Sequence, residues 1–310
     1  MSQLIAKTHF ENQNDARDYI LSCEDAFAQQ MRAAAARILS QPSCKLLGLG
    51  GPSCAGKSTT AKLLIRHLEA AGKHVHIISI DDFFREQSEV RLKDIKNNPD
   101  QKIDFDSIDA LDFPLFCRCV EQLMTTGYTQ IPQYDLSCGK RTGSREYRIK
   151  DENDLFLFEG IQTVYPEISG ILEQYPYYSM FIRVGRALRV ADKVFSPHQI
   201  RLLRRLVRDY YRRASTPDFT LFLWDSVRAN EEKSIFPYAD RCCEQFDSTM
   251  GYEIGMLRPY LESFLPSILD SNDYGHIAAA ILEDIQFAEP LNCELLPQVA
   301  LYHEFVGQPH

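Results

Sequence analysis

The chain has 310 residues, of which 34 are basic and 43 acidic, so its formal net charge at pH 7 is −9. This acidic balance repels a phosphate backbone, and we therefore do not expect nucleic acid as a partner. A composition of 45% hydrophobic and 25% charged residues is typical of a globular protein and excludes a disordered or fibrous one. We find no signal sequence and no run of about 18 apolar residues, which predicts a cytoplasmic protein without a membrane segment.

The first predicted elements form a strand, a glycine loop and a helix. Residues 16–40 are rich in alanine and favour a helix that precedes the core. Residues 44–50 are a short apolar run that ends in glycines, and residues 58–71 carry apolar residues at helical spacing. Residues 74–80 alternate in polarity and are rich in β-branched residues, which predicts a second strand.

Two later apolar runs complete the predicted sheet. Residues 155–158 are followed directly by Glu159, and residues 178–184 precede a strongly basic stretch. Apolar strands that alternate with helices predict a three-layer α/β fold with a mainly parallel sheet covered on both faces. Ligands of such sheets bind at the carboxyl ends of the strands, where both Asp81 and Glu159 fall.

The remaining segments divide the chain. We expect a helical lead-in over residues 1–43, a core domain over residues 44–265, and a terminal helix and tail over residues 266–310. Residues 85–153 are polar and turn-rich, which indicates an insertion with a β-hairpin outside the core. A basic helical segment at about residues 186–215 is a candidate lid.

The glycine loop fits the phosphate-binding pattern G-x-x-x-x-G-K-[ST] and lies between a predicted strand and a predicted helix, as this pattern requires. Backbone N–H groups and the helix N-terminus would surround a β-phosphate, and an ordinary glycine-rich turn is the alternative. Lys57 would bridge the β- and γ-phosphates, Ser58 would hold magnesium, and Thr59 would contact the α-phosphate. The predicted nucleotide site comprises Gly51, Pro52, Ser53, Cys54, Ala55, Gly56, Lys57, Ser58 and Thr59.

Carboxylates at the strand ends are candidates for acid–base and metal chemistry. Asp81 or Asp82 could meet the hydroxyl group that accepts the phosphate and act as its base, or could simply cap a turn. Glu159 could hold magnesium directly or through water, or could be a structural carboxylate at a strand end.

The basic stretch has spacings of three and four residues, which place several guanidinium groups on one side of a helix. Such a helix can close over a triphosphate and stabilise the charge of the transferred group, although a solvated basic face is the alternative. The strings D-x-x-G and N-K-x-D of GTPases are absent, which favours a kinase. The candidate lid residues are Arg201, Arg204, Arg205, Arg208, Arg212 and Arg213.

Several segments together resemble the phosphoribulokinase and uridine kinase family, especially its bacterial nucleoside kinase branch. The similarity runs from about residue 40 to the C-terminus, and longer members of the branch carry an additional N-terminal domain. Even the tail EFVG looks like that branch. The segments are GPSCAGKSTTAKLL, IISIDDFF, KIDFDSIDALDFPLF, IPQYDLSCGKRTG, LFLFEGIQTVYPEI, RLLRRLVRDYYRR and WDSVRANEEKSIFPYADRCCEQFDSTMGYEI.

The resemblance implies roles for individual residues, with core packing or turn formation as the alternative for the aromatic and acidic ones. Uridine kinases also place a base-reading histidine a few residues after the Y-D pair, whereas this chain has Ser137, Cys138, Gly139 and Lys140 there. This departure weakens the case for uracil or cytosine. By position, Asp81 matches the general base, Phe84 lies near the acceptor pocket, Asp106 matches the acid that receives ribose hydroxyls, Tyr134 matches the aromatic residue of the hairpin, and Arg208 and Arg212 match the lid arginines.

The sequence thus predicts a P-loop kinase that transfers the γ-phosphate of ATP, with Mg²⁺, to a hydroxyl of a small molecule. The 5′-hydroxyl of a nucleoside is the expected acceptor. A kinase for another polyol, such as a sugar or a sugar phosphate, is the alternative, and a nucleotide-binding regulator is a third hypothesis. The resemblance also implies a homo-oligomer.

Overall fold

The computed structural model describes residues 2–86, 88 and 107–306. At its centre is a sheet in which all neighbouring strands are parallel. Across the sheet the strands are β10 (Glu244–Asp247), β7 (Tyr177–Arg183), β2 (Leu46–Gly50), β6 (Asp154–Glu159) and β3 (His74–Ser79). The β2 strand therefore has a neighbour on each side, and the loop that follows it emerges near the middle of the carboxyl edge.

Alternating side chains of the central strands enter two separate hydrophobic clusters. In β6, Leu155 and Leu157 join the cluster on one face, whereas Phe156 and Phe158 join the cluster on the other. Because successive residues of a strand point to opposite faces, a continuous apolar run is what a strand buried on both sides requires. The sheet is therefore the middle layer of three.

Helices cover both faces of this sheet, as the alternation of elements predicted. The first face is covered mainly by the long α1 (Gln13–Leu39), the loop helix α2 (Lys57–Ala70) and α5 (Pro197–Arg213). The further helices in chain order are α3 (Phe113–Thr126), α4 (Pro166–Leu172), α6 (Pro217–Ser234), α7 (Phe236–Ala239), α8 (Glu253–Phe264), α9 (Gly275–Ile285) and α10 (His303–Val306).

Two smaller sheets lie beside the central one. A predicted hairpin is present as the antiparallel pair β4 (Tyr128–Asp135) and β5 (Lys140–Arg148). The other sheet joins β1 (Gln3–Ile5), β8 (Ala187–Val190) and β9 (Lys193–Phe195), so the segment before α1 contains a strand that the sequence analysis did not predict.

The interpretation of residues 85–153 as lying outside the core is wrong for α3. Its side chains Phe116, Val120 and Leu123 are buried in the cluster on the second face of the sheet. Their spacing is helical, but the surrounding turn-forming residues dominated the sequence pattern. The proposed division into lead-in, core domain and tail stays a prediction.

Within the described part of the chain, each helix is either too short or too polar to cross a membrane.

Candidate active site

The glycine loop follows β2 and leads directly into α2, as its pattern predicted. Gly56 is the N-terminal cap of α2 and has a φ of 99°, in the left-handed region that favours glycine. A Cβ atom at this position would lie 2.4 Å from Leu301 Cδ1, so the tail packs directly against the loop. The first N–H groups of a helix have no partner within the helix and carry partial positive charge. The loop is therefore arranged to bind an anion.

Buried arginines of α5 donate hydrogen bonds to backbone carbonyls of the glycine loop. Arg201 Nη1 donates to the carbonyl of Ser53 at 3.2 Å, and Arg204 Nη1 donates to the carbonyl of Cys54 at 3.3 Å. Both guanidinium groups are almost fully buried and form ion pairs, at 2.5 Å and 2.9 Å, with acidic residues of α6 and α8. These two arginines therefore support the loop and do not form part of an open lid.

Lys57 lies at the start of α2 with its amine turned back over the loop. Its Nζ donates to the carbonyls of Gly51 at 2.9 Å and Pro52 at 3.2 Å. These neutral acceptors are weaker partners for an ammonium than phosphate oxygens, because charge-assisted hydrogen bonds are the stronger kind. The amine is thus available to exchange them for a bound anion.

Asp81 and Asp82 lie in a short 3₁₀ helix, Ile80–Phe83, which follows β3, and not on an extended strand end. Asp81 faces the cavity beside the glycine loop. Asp82 faces the hairpin, where its Oδ1 accepts the backbone N–H of Tyr134 at 3.0 Å. The two carboxylates therefore have different surroundings, and Asp81 is the one that lines the cavity.

One cavity of about 380 Å³ connects the loop with the carboxyl ends of β3 and β6. It brings together the predicted phosphate-binding, acidic, aromatic and basic groups from separate parts of the chain. Its lining includes Ser53, Cys54, Lys57, Ser58, Asp81, Phe84, Tyr134, Glu159, Arg205, Arg208 and Arg213.

Burial and neighbouring charges change the acidity of the carboxyl groups in this cavity. Burial raises the pKa of Asp81 from 3.8 to about 6, and the negative charge of Glu159 adds to the rise while Lys57 opposes it. Burial also raises the pKa of Glu159, again opposed by Lys57 and reinforced by Glu304. A cation or a positively charged partner nearby would stabilise the ionised form of these desolvated carboxyl groups.

Ser58 and Glu159 are the two residues that the sequence analysis predicted to hold magnesium. Both line the cavity beside Lys57. Hydroxyl and carboxylate oxygens are the hard donors that Mg²⁺ prefers, and Mg²⁺ is usually bound through only one or two protein carboxylates. Because burial raises the pKa of Glu159, a divalent cation bound beside it would stabilise its charged form. The residues present therefore fit the ion.

The arginines of α5 divide into groups with different surroundings. Arg205, Arg208 and Arg213 line the cavity, and Arg208 is held by a hydrogen bond of 2.6 Å from its Nη2 to Asp209. Arg212 does not line it, because its Nη2 donates to the backbone carbonyl of His303 at 2.8 Å beside a neighbouring cavity. The geometry thus favours Arg213 over Arg212 as the partner of Arg208.

The predicted acceptor residues lie on the hairpin side of the cavity. The rings of Phe84 and Tyr134 are 5.5 Å apart at an angle of 54° and both line the cavity. Residues 137 and 138 are exposed in the hairpin turn, and Gly139 contributes to the lining. Asp106 lies outside the described residues.

Sequence reasoning missed two groups that the fold brings to this cavity. Gln162 follows Glu159 closely in sequence, but glutamine has no pattern that marks it as a site residue. Glu304 comes from the far end of the chain, and its Oε2 accepts hydrogen bonds of 3.4 Å from the backbone N–H and the hydroxyl of Thr59. Arg213 was noted in the basic stretch, but only the three-dimensional structure separates it from Arg212.

Comparisons with known proteins identify the family of this chain. The profile described as "Phosphoribulokinase / Uridine kinase family" matches residues 46–242, well over half of the chain. A uridine kinase from Vibrio atlanticus is 27% identical over 57% of this chain and 74% of its own length. A uridine kinase from Aliivibrio fischeri is 28% identical over 64% of this chain and 80% of its own length.

A solved structure shares the fold. It is provisionally described as a fructose transport system kinase from Silicibacter, and it superimposes with a TM-score of 0.52 at 18% identity. The match covers 70% of this chain and 98% of that one. Identity at this level supports only the common P-loop α/β architecture.

Proposed function

Because this chain belongs to the phosphoribulokinase/uridine kinase family, which is a family of kinases, we propose that it transfers the γ-phosphate of ATP to a hydroxyl of a nucleoside. One observation carries the proposal. A single cavity contains a phosphate-binding lysine, a carboxylate suited to act as a base, a candidate magnesium ligand and two lid arginines, namely Lys57, Asp81, Glu159, Arg208 and Arg213. This combination matches what in-line phosphoryl transfer to an alcohol requires.

The residues of the loop bind and orient the donor. The N–H groups at the start of α2 hold the phosphates, and Lys57 exchanges its carbonyl partners for phosphate oxygens. Ser58 and Glu159 would hold Mg²⁺, which when bound neutralises charge on the phosphates. Arg208 and Arg213 face the same space and stabilise charge on the equatorial oxygens of the transferred group.

Asp81 prepares the acceptor. Its raised pKa of about 6 lies close to neutrality, which suits a general base that must be ionised yet able to take a proton. The carboxylate orients the acceptor hydroxyl and removes its proton as the phosphoryl group arrives. Phe84 and Tyr134 form a wall against which the acceptor packs.

The names of the relatives favour a nucleoside as acceptor, since both are uridine kinases, although at 27–28% identity. A polyol other than a nucleoside is the second candidate. The observation in its favour is that the position of a base-reading histidine after the Y-D pair is taken by Ser137–Lys140. Recognition of the sugar can persist when recognition of the base changes.

The deciding experiment is an acceptor screen. Purified protein is incubated with ATP and Mg²⁺ and with nucleosides, pentoses or inositols, and ADP release is measured. We expect a nucleoside to raise turnover well above the basal rate in the wild-type protein and not in Lys57→Ala. Stimulation by a pentose or an inositol alone would replace the nucleoside proposal with the polyol one. If no acceptor stimulates turnover, the chain is better described as a nucleotide-binding regulator.

A further inference from the structure

Gln162 is a buried amide in the candidate active site. Its side chain is 0% exposed, and neither its Nε2 nor its Oε1 has a hydrogen-bond partner among the described residues. It lies in the 3₁₀ turn Ile161–Val164, immediately after β6, and it lines the same cavity as Lys57 and Asp81.

An orphaned amide at this position is energetically unfavourable without a ligand. A buried polar group that loses its hydrogen bonds to water without replacing them destabilises the folded protein. Leucine or methionine would occupy a similar volume without this cost. Native proteins keep few such groups, and each of them calls for an explanation such as a bound ligand.

The backbone next to Gln162 is also shaped around this side chain. A Cβ atom at Gly160 would lie 2.8 Å from Ile80 Cβ and 3.4 Å from Gln162 Oε1. Glycine at residue 160 therefore lets the turn pack closely against the segment that carries Asp81. The amide is thereby held beside the end of β6, where Glu159 faces the cavity.

The surroundings indicate the kind of group that the amide would bind. Ile161, Val227 and Ile235 contribute apolar surface to the cavity wall. The glycine loop, Lys57 and the lid arginines supply the positive charge that phosphates require. A neutral amide, which both donates and accepts, complements a neutral group that does the same, such as sugar hydroxyls or the N–H and C=O edge of a base.

We propose that Gln162 determines specificity for the phosphate acceptor by binding a neutral donor–acceptor group of that molecule through its side-chain amide. This inference rests on the proposed kinase function. It assigns the amide to the acceptor and not to ATP, because the phosphate-binding groups already account for the donor.

The test compares Gln162→Met, which keeps the length of the side chain and removes the amide, with the wild-type protein. Gln174→Met is the matched control, because Gln174 is exposed and precedes the amino end of β7, at the edge of the sheet opposite the cavity. We expect Gln162→Met to raise the KM of the acceptor about tenfold or more, since each tenfold corresponds to about 1.4 kcal/mol. The Kd of ATP should change less than twofold, and the melting temperature should stay the same or rise because an unpaired amide is removed.

Uridine, 2′-deoxyuridine and ribose are the probes. A loss of discrimination between the first two in Gln162→Met identifies the sugar hydroxyls as the group bound. An equal rise in KM for both nucleosides, with ribose unaffected, identifies the base. Either result supports the proposal. An acceptor KM that changes less than twofold for every probe would overturn it, and so would a fall in melting temperature with unchanged kinetics, which would make Gln162 a structural residue.

Calorimetry separates the failure of this inference from the failure of the proposed function. Binding of the same probes is measured in the presence of a non-hydrolysable ATP analogue, which needs no turnover. If wild-type protein transfers no phosphate but binds a probe that Gln162→Met does not bind, the amide is a ligand-binding group although the kinase proposal fails. If both proteins bind the probe equally, the inference fails whether or not the kinase is active.

Discussion

Asp81 and Asp82 are neighbours in sequence but face different surroundings. The first lines the cavity, and the second accepts the N–H of Tyr134 and so supports the hairpin. Asn at either position keeps the size of the side chain and removes the charge. We expect Asp81→Asn to lower acceptor-dependent turnover by about 10²- to 10⁴-fold, the usual contribution of a general base, with little change in ATP affinity.

Asp82→Asn is the control for this substitution. An asparagine oxygen can still accept the N–H of Tyr134, so the hairpin should stay in place and turnover should fall much less. Acceptor-dependent ADP release and ATP binding are measured for both variants. If Asp82→Asn were the inactive protein and Asp81→Asn the active one, the assignment of the base would have to move by one residue.

The pKa of Asp81 also predicts how stability depends on pH. Burial is the main cause of its rise to about 6, with Glu159 and Asp82 adding to the rise and Lys57 and Arg213 opposing it. Because the folded protein holds this proton more tightly than the unfolded chain does, the stabilisation is complete below about pH 4 and is lost as pH rises through 6. The free energy of unfolding of Asp81→Asn should therefore exceed that of the wild-type protein by about 1–3 kcal/mol at pH 8. At pH 4 the two proteins should be equally stable.

Urea denaturation of both proteins at the two pH values measures this difference. The same carboxyl predicts that kcat/KM of the wild-type protein falls as pH drops below about 6, because the protonated form cannot act as a base. Equal stabilisation at pH 4 and pH 8 would show that the charge of Asp81 is not the cause.

Residues of the candidate site could be predicted when a local pattern marks them. The lysine and serine of the loop, Asp81 and Glu159 follow from motif and strand position alone. Gln162 and Glu304 could not be found this way, because one carries no charge and the other reaches the loop from 245 residues away. The distinction between Arg212 and Arg213 depends on which way each side chain leaves the last turn of a helix.

At the level of elements, α5 combines two tasks on one helix. Its first half is buried and supports the loop through Arg201 and Arg204, and its last turns face the cavity. The spacing of the arginines predicted only a lid, because spacing alone cannot distinguish an arginine in a buried ion pair from a solvent-exposed one. Burying these guanidinium groups is acceptable because each has a buried carboxylate partner, at 2.5 Å and 2.9 Å.

This division leads to a prediction for the end of α5. Arg208→Ala and Arg213→Ala should each lower kcat by about 10²- to 10³-fold, as expected when a donor that stabilises transition-state charge is removed. Arg212→Ala should change kcat far less, because its guanidinium donates to the carbonyl of His303 and does not line the cavity.

Steady-state kinetics of the three variants, with their melting temperatures, measure this difference. Arg212 is exposed and is thus a control of the same type and of nearly the same position. A loss of kcat that is larger in Arg212→Ala than in Arg213→Ala would restore the assignment implied by the family resemblance.

The central strands could be predicted because strands that are buried on both faces have continuous apolar sequences. The strands β2, β3, β6 and β7 were all expected close to their observed bounds. The edge strand β10 was not, because its sequence EQFD is polar and its pairing depends on β7. Short strands without an apolar pattern can be identified only from their pairing with a neighbouring strand in the structure.

At the level of the whole molecule, the C-terminal tail returns to the glycine loop. Leu301, Tyr302 and Phe305 are each 0% exposed, and the guanidinium of Arg204 lies 5.4 Å and 5.1 Å from the centres of the two aromatic rings. The tail is thus fixed in the core, and Glu304 is held at the first turn of α2. The match to the family covers residues 46–242 and does not include this segment.

Glu304 places a negative charge where the loop is arranged to receive phosphate. Its carboxylate accepts from the N–H and hydroxyl of Thr59, and it raises the pKa of Glu159, which shows that the two charges repel each other. A bound nucleotide must compete with this carboxylate for the positive end of α2. We therefore expect Glu304→Gln to bind ATP more tightly, with a Kd about two- to tenfold lower at low ionic strength and a smaller gain at high salt.

Glu283→Gln is the control, because it changes the net charge equally on the exposed face of α9. Calorimetric titration of ATP into the three proteins measures the effect. Weaker binding by Glu304→Gln would mean that the carboxylate contacts the bound nucleotide favourably, so that the tail completes the donor site and does not compete for it.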